Sequence, residues 1–235
     1  LRNLEERKNQ VIASIAEQEK LTPELERSIR DAQTLVAVED LYRPYKPKRR
    51  TRAMIAKEKG LEPLADLISM QMVKEPLLQA AAAYISQEKG VETAEAAIQG
   101  AKDILAERIS DNAEYRTYIR NATMNKGVVQ SSAKDEKAQS VYEMYYNYEE
   151  PVKKCAGHRI LALNRGENEK ILTVKIAAPE DQILMYLEKQ TIVRDNPHTT
   201  PVLKEAAADS YQRLIGPSIE REIRSGLTER AEEGA

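Results

Sequence analysis

Several residue types that support common site chemistry are scarce in this chain of 235 residues. It has no Phe, no Trp, one Cys and two His. A single cysteine excludes an intramolecular disulfide and fits a reducing compartment. One Cys and two His also leave too few of the usual ligands for a zinc site. No apolar run approaches the ~20 residues of a membrane-spanning helix, so the sequence predicts a cytoplasmic protein with no membrane partner.

The residues that are abundant favour helix. The chain is 41% hydrophobic and 31% charged, and it is rich in Ala, Glu, Lys, Leu and Arg, which are strong helix formers. Without Phe and Trp, its large core side chains must be Leu, Ile, Met and Tyr. We therefore expect a mainly α-helical, multi-helical architecture.

Helix start and stop signals recur along the sequence. Thr precedes several apolar-periodic runs as an N-cap, Pro opens others, and Gly60 and Gly90 are candidate left-handed caps. The Arg43-Pro44 pair ends a helix, and Pro44 with Pro47 keeps the following loop extended. Helices are predicted over about 1–20, 22–32, 34–42, 53–60, 63–72, 76–87, 93–109, 112–122, 141–151 (rich in Tyr), 179–191, 200–215 and from 216 past 228.

Strand character is predicted in one place, between His158 and Ile176. Leu172, Val174 and Ile176 alternate with polar residues, and 166–168 is a candidate turn. Arg159–Asn164 is either its hairpin partner or a helical turn. The fold is thus expected to contain at most a short strand or hairpin near residues 159–176.

Positive charge is concentrated in one segment, residues 43–59, called here the basic segment. It contains eight Lys/Arg and one Glu, a charge of +7, whereas the whole chain carries −2 and the remainder therefore −9. The overall pI near 6 argues against coating of nucleic acid by bulk charge, so any contact must come from a local patch.

The order of residues in and around the basic segment closely resembles the bacterial Tex family of transcription accessory proteins. The resemblance continues in the same order through most of the chain. Its islands are Leu41–Ala53, Glu58–Ala65, Asp103–Asp111, Lys134–Glu136, Tyr142–Tyr146, Gly157–Glu167, Asn196–Leu203, Asp209–Ile215 and Ser218–Arg224.

This resemblance implies the N-terminal helical region of a longer, cytoplasmic, nucleic-acid-binding protein. We expect a fragment, because the chain lacks an initiator Met and the RNase H-like, helix-hairpin-helix and OB-fold domains of the family. Residues 1–235 are divided into a helical lead-in (1–42), a basic loop and helix (43–60), a helical bundle (61–123), a Tyr-rich helix with a strand-containing segment (124–178) and C-terminal helices leading to the missing RNase H-like domain (179–235).

Two interpretations of the basic segment remain open at this stage. In the first, its cations hold phosphates of RNA or single-stranded DNA, while Tyr42 and Tyr45 stack on bases. In the second, the arginines pair with acidic helices and the tyrosines pack in the core, so that the region is a scaffold. The candidate nucleic-acid-binding residues are Arg43, Lys46, Lys48, Arg49, Arg50 and Arg52.

No pattern in the sequence indicates catalysis. There is no Gly-rich phosphate loop, nothing marks an activated Ser, and His198 has no nearby metal-ligand partner, so we expect a non-enzymatic chain with no cofactor and no small-molecule substrate. RNA polymerase and other transcription factors are candidate partners. A second basic cluster (Lys153, Lys154, His158, Arg159 and Arg165) either extends the same surface or is neutralised by the adjacent glutamates.

Overall fold

The structure is a computed structural model that describes residues 2–47 and 50–234. It is mainly α-helical, as predicted. The helices are α1 (Arg2–Glu17), α2 (Pro23–Asp31), α3 (Leu35–Tyr42), α4 (Arg52–Glu58), α5 (Glu62–Met70), α6 (Leu77–Ala82), α7 (Ala94–Ser110), α8 (Ala113–Lys126), α9 (Gly157–Asn168), α10 (Glu180–Thr191), α11 (Thr200–Asp209) and α12 (Gly216–Glu233), and the strands are β1 (Val128–Ala133), β2 (Asn147–Pro151) and β3 (Leu172–Ala177).

The chain divides into two compact units. The first comprises the residues up to Ala65 together with Leu78–Ala113, and the second comprises Asp66–Leu77 together with the residues from Glu114 onward. Among its described residues the first unit contains helices and one small hairpin, whereas the second unit also holds the sheet.

Threonine caps begin four of the helices in the first unit. The side chains of Thr22, Thr34, Thr51 and Thr93 accept hydrogen bonds at 3.0–3.1 Å from the backbone N–H three residues later. Each cap satisfies one N–H that the first helical turn leaves unpaired, which contributes about 1 kcal/mol. The predicted starts of α2, α3 and α7 are therefore confirmed.

Helices α1, α2 and α3 share one apolar cluster. Val11, Ile12 and Ile15 of α1 pack with Ile29, Val38 and Tyr42, all buried. The buried ammonium of Lys8 lies beside this cluster and donates to Arg30 O at 2.8 Å. A lysine of α1 thereby satisfies a carbonyl at the C-terminal end of α2, where a positive charge is favourable.

Small residues bring α4 and α7 close together. Ala53 and Ala56 of α4 are buried, and a Cβ added to Gly100 of α7 would lie 3.3 Å from Ala56 Cβ and 2.3 Å from Leu61 Cδ1. Helix α4 ends at Glu58, and Gly60, the predicted left-handed cap, follows with φ +77°. Gly60 N–H bonds Lys57 O and Leu61 N–H bonds Ala56 O, the pairing of a Schellman cap.

The helix expected from Pro76 to Gln87 is shorter than predicted. Helix α6 ends at Ala82, and the chain then forms a small hairpin in which Ser86 and Val91 exchange backbone hydrogen bonds of 2.8 Å. Gly90, with φ +81°, serves this hairpin and not a helix cap. The Ala-rich run favours helix by itself. The helix ends early because Gly90, which can adopt a positive φ, allows the hairpin to form.

A three-stranded antiparallel sheet in the order β2-β1-β3 occupies the second unit. Strand β3 was predicted, but the expectation that strand character is confined to His158–Ile176 is wrong. Strand β1 pairs Val129 with Ile176 on one side and with Glu150 on the other. Gln130 and Ser132 lie on the more open face of the sheet, but the buried residue between them is Ser131. Because this buried position is polar, the apolar–polar alternation that marks a strand is masked.

The Tyr-rich helix predicted over 141–151 is also wrong. Residues Glu143–Tyr145 form a single 3₁₀ turn and Asn147–Pro151 form β2. Tyr142 and Tyr145 are buried as expected, and Ser131 Oγ of β1 donates to Tyr145 O at 2.7 Å. Pairing with β1 outweighs the helical spacing of the tyrosines, since aromatic residues are also good strand formers.

Of the two structures considered for Arg159–Asn164, a hairpin strand or a helical turn, the structure shows helix. Residues 157–168 form α9, so neither a hairpin strand nor a turn at 166–168 is present. Gly166 allows α9 to pack closely on β3, because a Cβ at this position would lie 2.4 Å from Leu172 Cδ1. The glycine is a contact point between helix and strand, which its sequence context did not show.

The C-terminal helices are continuous through Gly216-Pro217. A π-helical turn over Ser210–Ile215 joins α11 to α12, and Gly216 N–H bonds Tyr211 O five residues back. Proline lacks an N–H and its ring clashes with a regular helical turn. The wider turn accommodates both, so the start signal at Pro217 does not interrupt the helix.

Two buried amides tie the segment around Gln71 to the loop after α10. Gln71, with φ +57°, donates from Nε2 to Thr191 O at 2.8 Å and accepts from Val193 N at 3.0 Å. Asn196 Nδ2 in turn donates to Val73 O at 3.0 Å. The segment before α11 is thus held by side-chain hydrogen bonds, and Asn196 Oδ1 also accepts from Thr199 N.

Candidate nucleic-acid interface

Tyr42, directly before the basic segment, and Tyr45 within it pack in the core of the first unit. Tyr42 is 6% exposed, and its hydroxyl and that of Ser14 share a 2.8 Å hydrogen bond. Tyr45 is half-buried against the same cluster, and its carbonyl accepts from Gln18 Nε2 at 2.7 Å. The prediction that Tyr42 stacks on a base is therefore wrong, because its ring is packed in the apolar cluster of α1, α2 and α3.

The loop that was predicted to be extended begins with a helical turn and becomes extended at Lys46, which has φ −63° and ψ 127°. Arg43–Tyr45 continue as one 3₁₀ turn, with Arg43 in the helical region at φ −48° and ψ −47°. Pro44 is compatible with this turn because a residue near its start needs no N–H partner. Arg43 is half-buried and Lys46 is exposed, while Lys48 and Arg49 lie outside the described residues.

The remaining candidate residues surround the start of α4. Thr51 caps this helix and donates from Oγ1 to Glu107 Oε2 at 2.9 Å, which anchors the helix start to α7. Arg50 forms an ion pair with Glu58 in which the two side chains are 66% and 56% exposed. Arg52 is exposed at the first helical position. Within residues 2–47 and 50–234, Lys46 and Arg52 form no ion pair.

A lysine distant in sequence extends the charge of the basic segment. A Cβ placed on Gly60 would lie 3.0 Å from Lys89 Nζ, and one placed on Gly90 would lie 3.8 Å from Lys59 Cε. Lys89 therefore lies beside Gly60, and Lys59 lies beside Gly90. Sequence reasoning missed Lys89, although the repeated Glu-Lys-Gly at 58–60 and 88–90 was a visible signal.

Acidic partners neutralise only part of this region. Glu62 lies 3.6 Å from Lys57 Nζ and 3.8 Å from Arg108 Nη2, and all three side chains are 39–49% exposed. Ion pairs as exposed as these are worth little and compete weakly with phosphate. Lys46 and Arg52 are thus exposed cations of the basic segment that form no ion pair in the described part of the chain.

The second basic cluster is compensated locally at Arg159. Arg159 Nε donates to Glu150 Oε1 at 2.7 Å. Burial raises the pKa of the Glu150 carboxyl, but hydrogen bonds from Arg159, Cys155 and Tyr148 outweigh it, so the pKa lies below its usual range. Arg159 is therefore committed to a glutamate of its own unit, which favours the neutralised alternative.

Two features are absent from the described residues. No group of three or more His, Cys, Asp or Glu side chains there is arranged to hold a metal ion. In the same part of the chain, none of the helices combines the length and the apolar character that a bilayer crossing requires.

Comparison with known proteins identifies the family. Residues 74–235 match the family described as Tex central region-like, and the chain belongs to the Tex family. The uncharacterized protein YdcI of Bacillus subtilis (strain 168) is 52% identical over the whole chain, which spans 33% of that protein.

Two other relatives carry functional names. The transcriptional accessory protein Tex of Neisseria gonorrhoeae is 39% identical over 77% of the chain and 24% of its own length. The S1 RNA-binding domain-containing protein 1 of Pongo abelii is 29% identical over 99% of the chain and 24% of its own length. The chain thus spans a third or less of each of these relatives.

Proposed function

We propose that this chain acts in transcription, as part of a longer cytoplasmic protein, and contributes to binding RNA or single-stranded DNA through the basic segment. The names of the relatives support the setting, since one is a transcriptional accessory protein and another contains an S1 RNA-binding domain. RNA polymerase and other transcription factors are the protein partners that such a role implies.

One observation carries the proposal. Lys46 and Arg52 are exposed and form no ion pair within the described residues, although the chain outside the basic segment carries −9. An acidic protein that leaves cations uncompensated at one place presents a local site for phosphate. Arg52 brings a planar fork that can contact two phosphate oxygens.

The mode of binding follows from the neighbouring aromatic residues. Tyr42 is packed in the core and Tyr45 rests against it, so base stacking does not contribute. Contacts to the phosphate backbone position a strand but read little sequence. We therefore expect binding with weak sequence preference and a strong dependence on salt.

The test compares two double substitutions that remove the same charge. Lys46→Ala/Arg52→Ala is expected to weaken binding of a labelled single-stranded RNA in a filter-binding titration at two salt concentrations. The slope of log affinity against log salt should fall by roughly 1 for each phosphate that the variant no longer neutralises. Lys20→Ala/Arg27→Ala, at two exposed positions of the same unit, is the control and should bind as the parent does.

Equal affinity and equal salt slope for both double variants would contradict the proposal. Single-stranded DNA and duplex DNA of the same length, titrated in parallel, distinguish the preferred polyanion.

The scaffold alternative is the second candidate function, in which the region docks downstream domains or the transcription machinery without touching nucleic acid. It is favoured by the hydrogen bond between Tyr42, directly before the basic segment, and Ser14, and by the pairing of Arg50 with Glu58. In that case Lys46→Ala/Arg52→Ala leaves nucleic-acid binding unchanged and lowers the melting temperature or the affinity for the docked partner.

We further propose that the chain is not an enzyme. Incubation of the purified chain with labelled RNA or DNA and Mg²⁺ should yield no cleavage products. Turnover that persists after repeated purification and is abolished by a point substitution in this chain would refute this.

A further inference from the structure

The second unit contains a cleft that the proposed function does not use. Its volume is about 470 Å³, within the roughly 300–1,000 Å³ of small-ligand pockets. It lies where β3 ends and where the π-helical turn passes into α12. The side chains that carry chemistry in its lining are Lys175, Glu180, Tyr211 and Glu220.

The π-helical turn and one glycine form the floor of the cleft. A Cβ on Gly216 would lie 2.8 Å from Tyr211 O and 3.4 Å from Tyr211 Cζ. The absence of that Cβ lets the phenol ring of Tyr211 lie directly against the start of α12. Local π turns of this kind occur often at functional sites.

Tyr211 presents its phenol hydroxyl to the cleft. The residue is 5% exposed, and its hydroxyl forms no hydrogen bond with any residue in 2–47 or 50–234. Burial raises the pKa of this phenol to about 12, and the charges of Glu180 and Glu220 contribute. The hydroxyl is therefore neutral. It is not one of the fully buried polar atoms that lack a partner, so it is open to the cleft and can donate to or accept from a ligand there.

Two carboxylates give the cleft its charge. Glu220 is held in place because its Oε1 accepts from Ile176 N at 2.9 Å. Glu180 is exposed, and its carboxylate has no hydrogen bond or ion pair within the described residues. Lys175 is the single cation among the lining residues, so two carboxylates against one ammonium leave a net charge of −1.

We propose that this cleft binds an arginine side chain of a polypeptide partner. The guanidinium is planar and carries five N–H donors, which suits two carboxylates and a phenol oxygen arranged around one space. It is also less strongly hydrated than an ammonium ion, so its desolvation in a cleft with a buried floor costs less. Glu180 and Glu220 accept its N–H groups, and the Tyr211 hydroxyl completes the contact.

The test uses nuclear magnetic resonance of the intact chain titrated with the capped peptide acetyl-Gly-Arg-Gly-amide. Saturable shifts are expected at residues lining the cleft. Tyr211→Phe and Glu180→Gln should each weaken binding roughly tenfold, the loss expected for a hydrogen bond to a charged group. Asp181→Asn, which removes one charge at the neighbouring exposed position, should bind as the parent does.

Two further measurements separate a ligand site from a structural role. The same peptide with citrulline, a neutral isostere, should not bind. Because the Tyr211 hydroxyl has no hydrogen-bond partner among residues 2–47 and 50–234, Tyr211→Phe should leave the melting temperature unchanged or raise it.

Several outcomes would overturn the proposal. These are the absence of saturable shifts up to millimolar peptide, equal binding of the citrulline peptide, and equal affinity in all three variants. Arginine amide alone binding as tightly as the peptide would assign the cleft to a small cation and refute a polypeptide partner. A clear fall in the melting temperature of Tyr211→Phe would show that the hydroxyl serves the fold.

Discussion

Arginines of the basic segment and arginines of α8 have the same chemistry and opposite surroundings. Arg50 and its partner Glu58 are 66% and 56% exposed. In the second unit, Arg116 is 2% exposed and donates to Ser218 Oγ at 3.1 Å, and one turn later Arg120 pairs with Glu222 with side chains 16% and 19% exposed. Arg116 and Arg120 therefore join α8 to α12, whereas Arg50 faces water.

The difference shows that burial decides what an arginine does. A buried arginine has lost its hydration and must keep every hydrogen bond that replaces it, so it is committed to the fold. An exposed one gains little from an internal partner and can exchange it for phosphate. Substitutions of buried and exposed arginines test whether the loss of stability follows burial.

The largest effect is expected at Arg116. Arg116→Ala removes a fully buried side chain and leaves its polar partners unsatisfied, which should lower the free energy of unfolding by about 3–5 kcal/mol. Urea unfolding of the chain measures this. Arg116→Lys should recover only part of the loss, because an ammonium lacks the planar fork. If Arg116→Ala lowered the free energy of unfolding by no more than Arg50→Ala does, burial would not distinguish the two arginines.

An intermediate effect is expected at the Arg120–Glu222 pair. A double-mutant cycle of Arg120→Ala and Glu222→Ala should give a coupling free energy of roughly 1–3 kcal/mol, because the pair is largely shielded from water. Thermal unfolding of the two single variants and the double variant yields this value. If the losses of unfolding free energy in the two single variants simply add in the double variant, the Arg120–Glu222 pair contributes no more than an exposed ion pair.

A pH-dependent effect is expected at the Arg159–Glu150 pair. The pKa of Glu150 is lower in the folded state than its ordinary value of 4.5. Its contribution to stability is therefore present above pH 4.5 and is lost as the pH falls through the folded pKa. Arg159→Ala should move the midpoint of acid unfolding to higher pH, and the midpoint of Lys175→Ala, at an exposed position, serves as the reference.

The smallest effect on stability is expected at Arg50. Arg50→Ala should change the free energy of unfolding by less than about 1 kcal/mol, because both members of its ion pair are exposed. Urea unfolding provides the measurement, and Glu58→Ala should agree with it. A loss equal to that of Arg120→Ala would mean that Arg50 is structural, which would favour the scaffold alternative.

Local signals in the sequence located most helices correctly. Thr22, Thr34 and Thr93 begin helices because a threonine oxygen needs only the N–H three residues ahead. Strand β1 and strand β2 were missed because neither forms by itself. Each depends on the register that sets Val129 opposite Ile176 and Glu150, and a helical spacing of tyrosines carries no information about that partner.

The candidate interface was predictable in outline only. Residue order showed where the positive charge is concentrated, but not that Tyr42 would be buried or that Lys89 would lie beside Gly60. Both depend on segments distant in sequence, since Ser14 fixes Tyr42 and the hairpin at 86–91 positions Lys89.

By itself, the sequence determined the family, the helical class and the position of the charge, because composition, capping and residue order are properties of neighbouring residues. Tertiary structure alone decided which charges are used by the fold. Arg116 is buried and Arg52 is exposed, although both lie near the start of a helix. Only packing removes water from a side chain, and the loss of water distinguishes a structural arginine from one that is available to a partner.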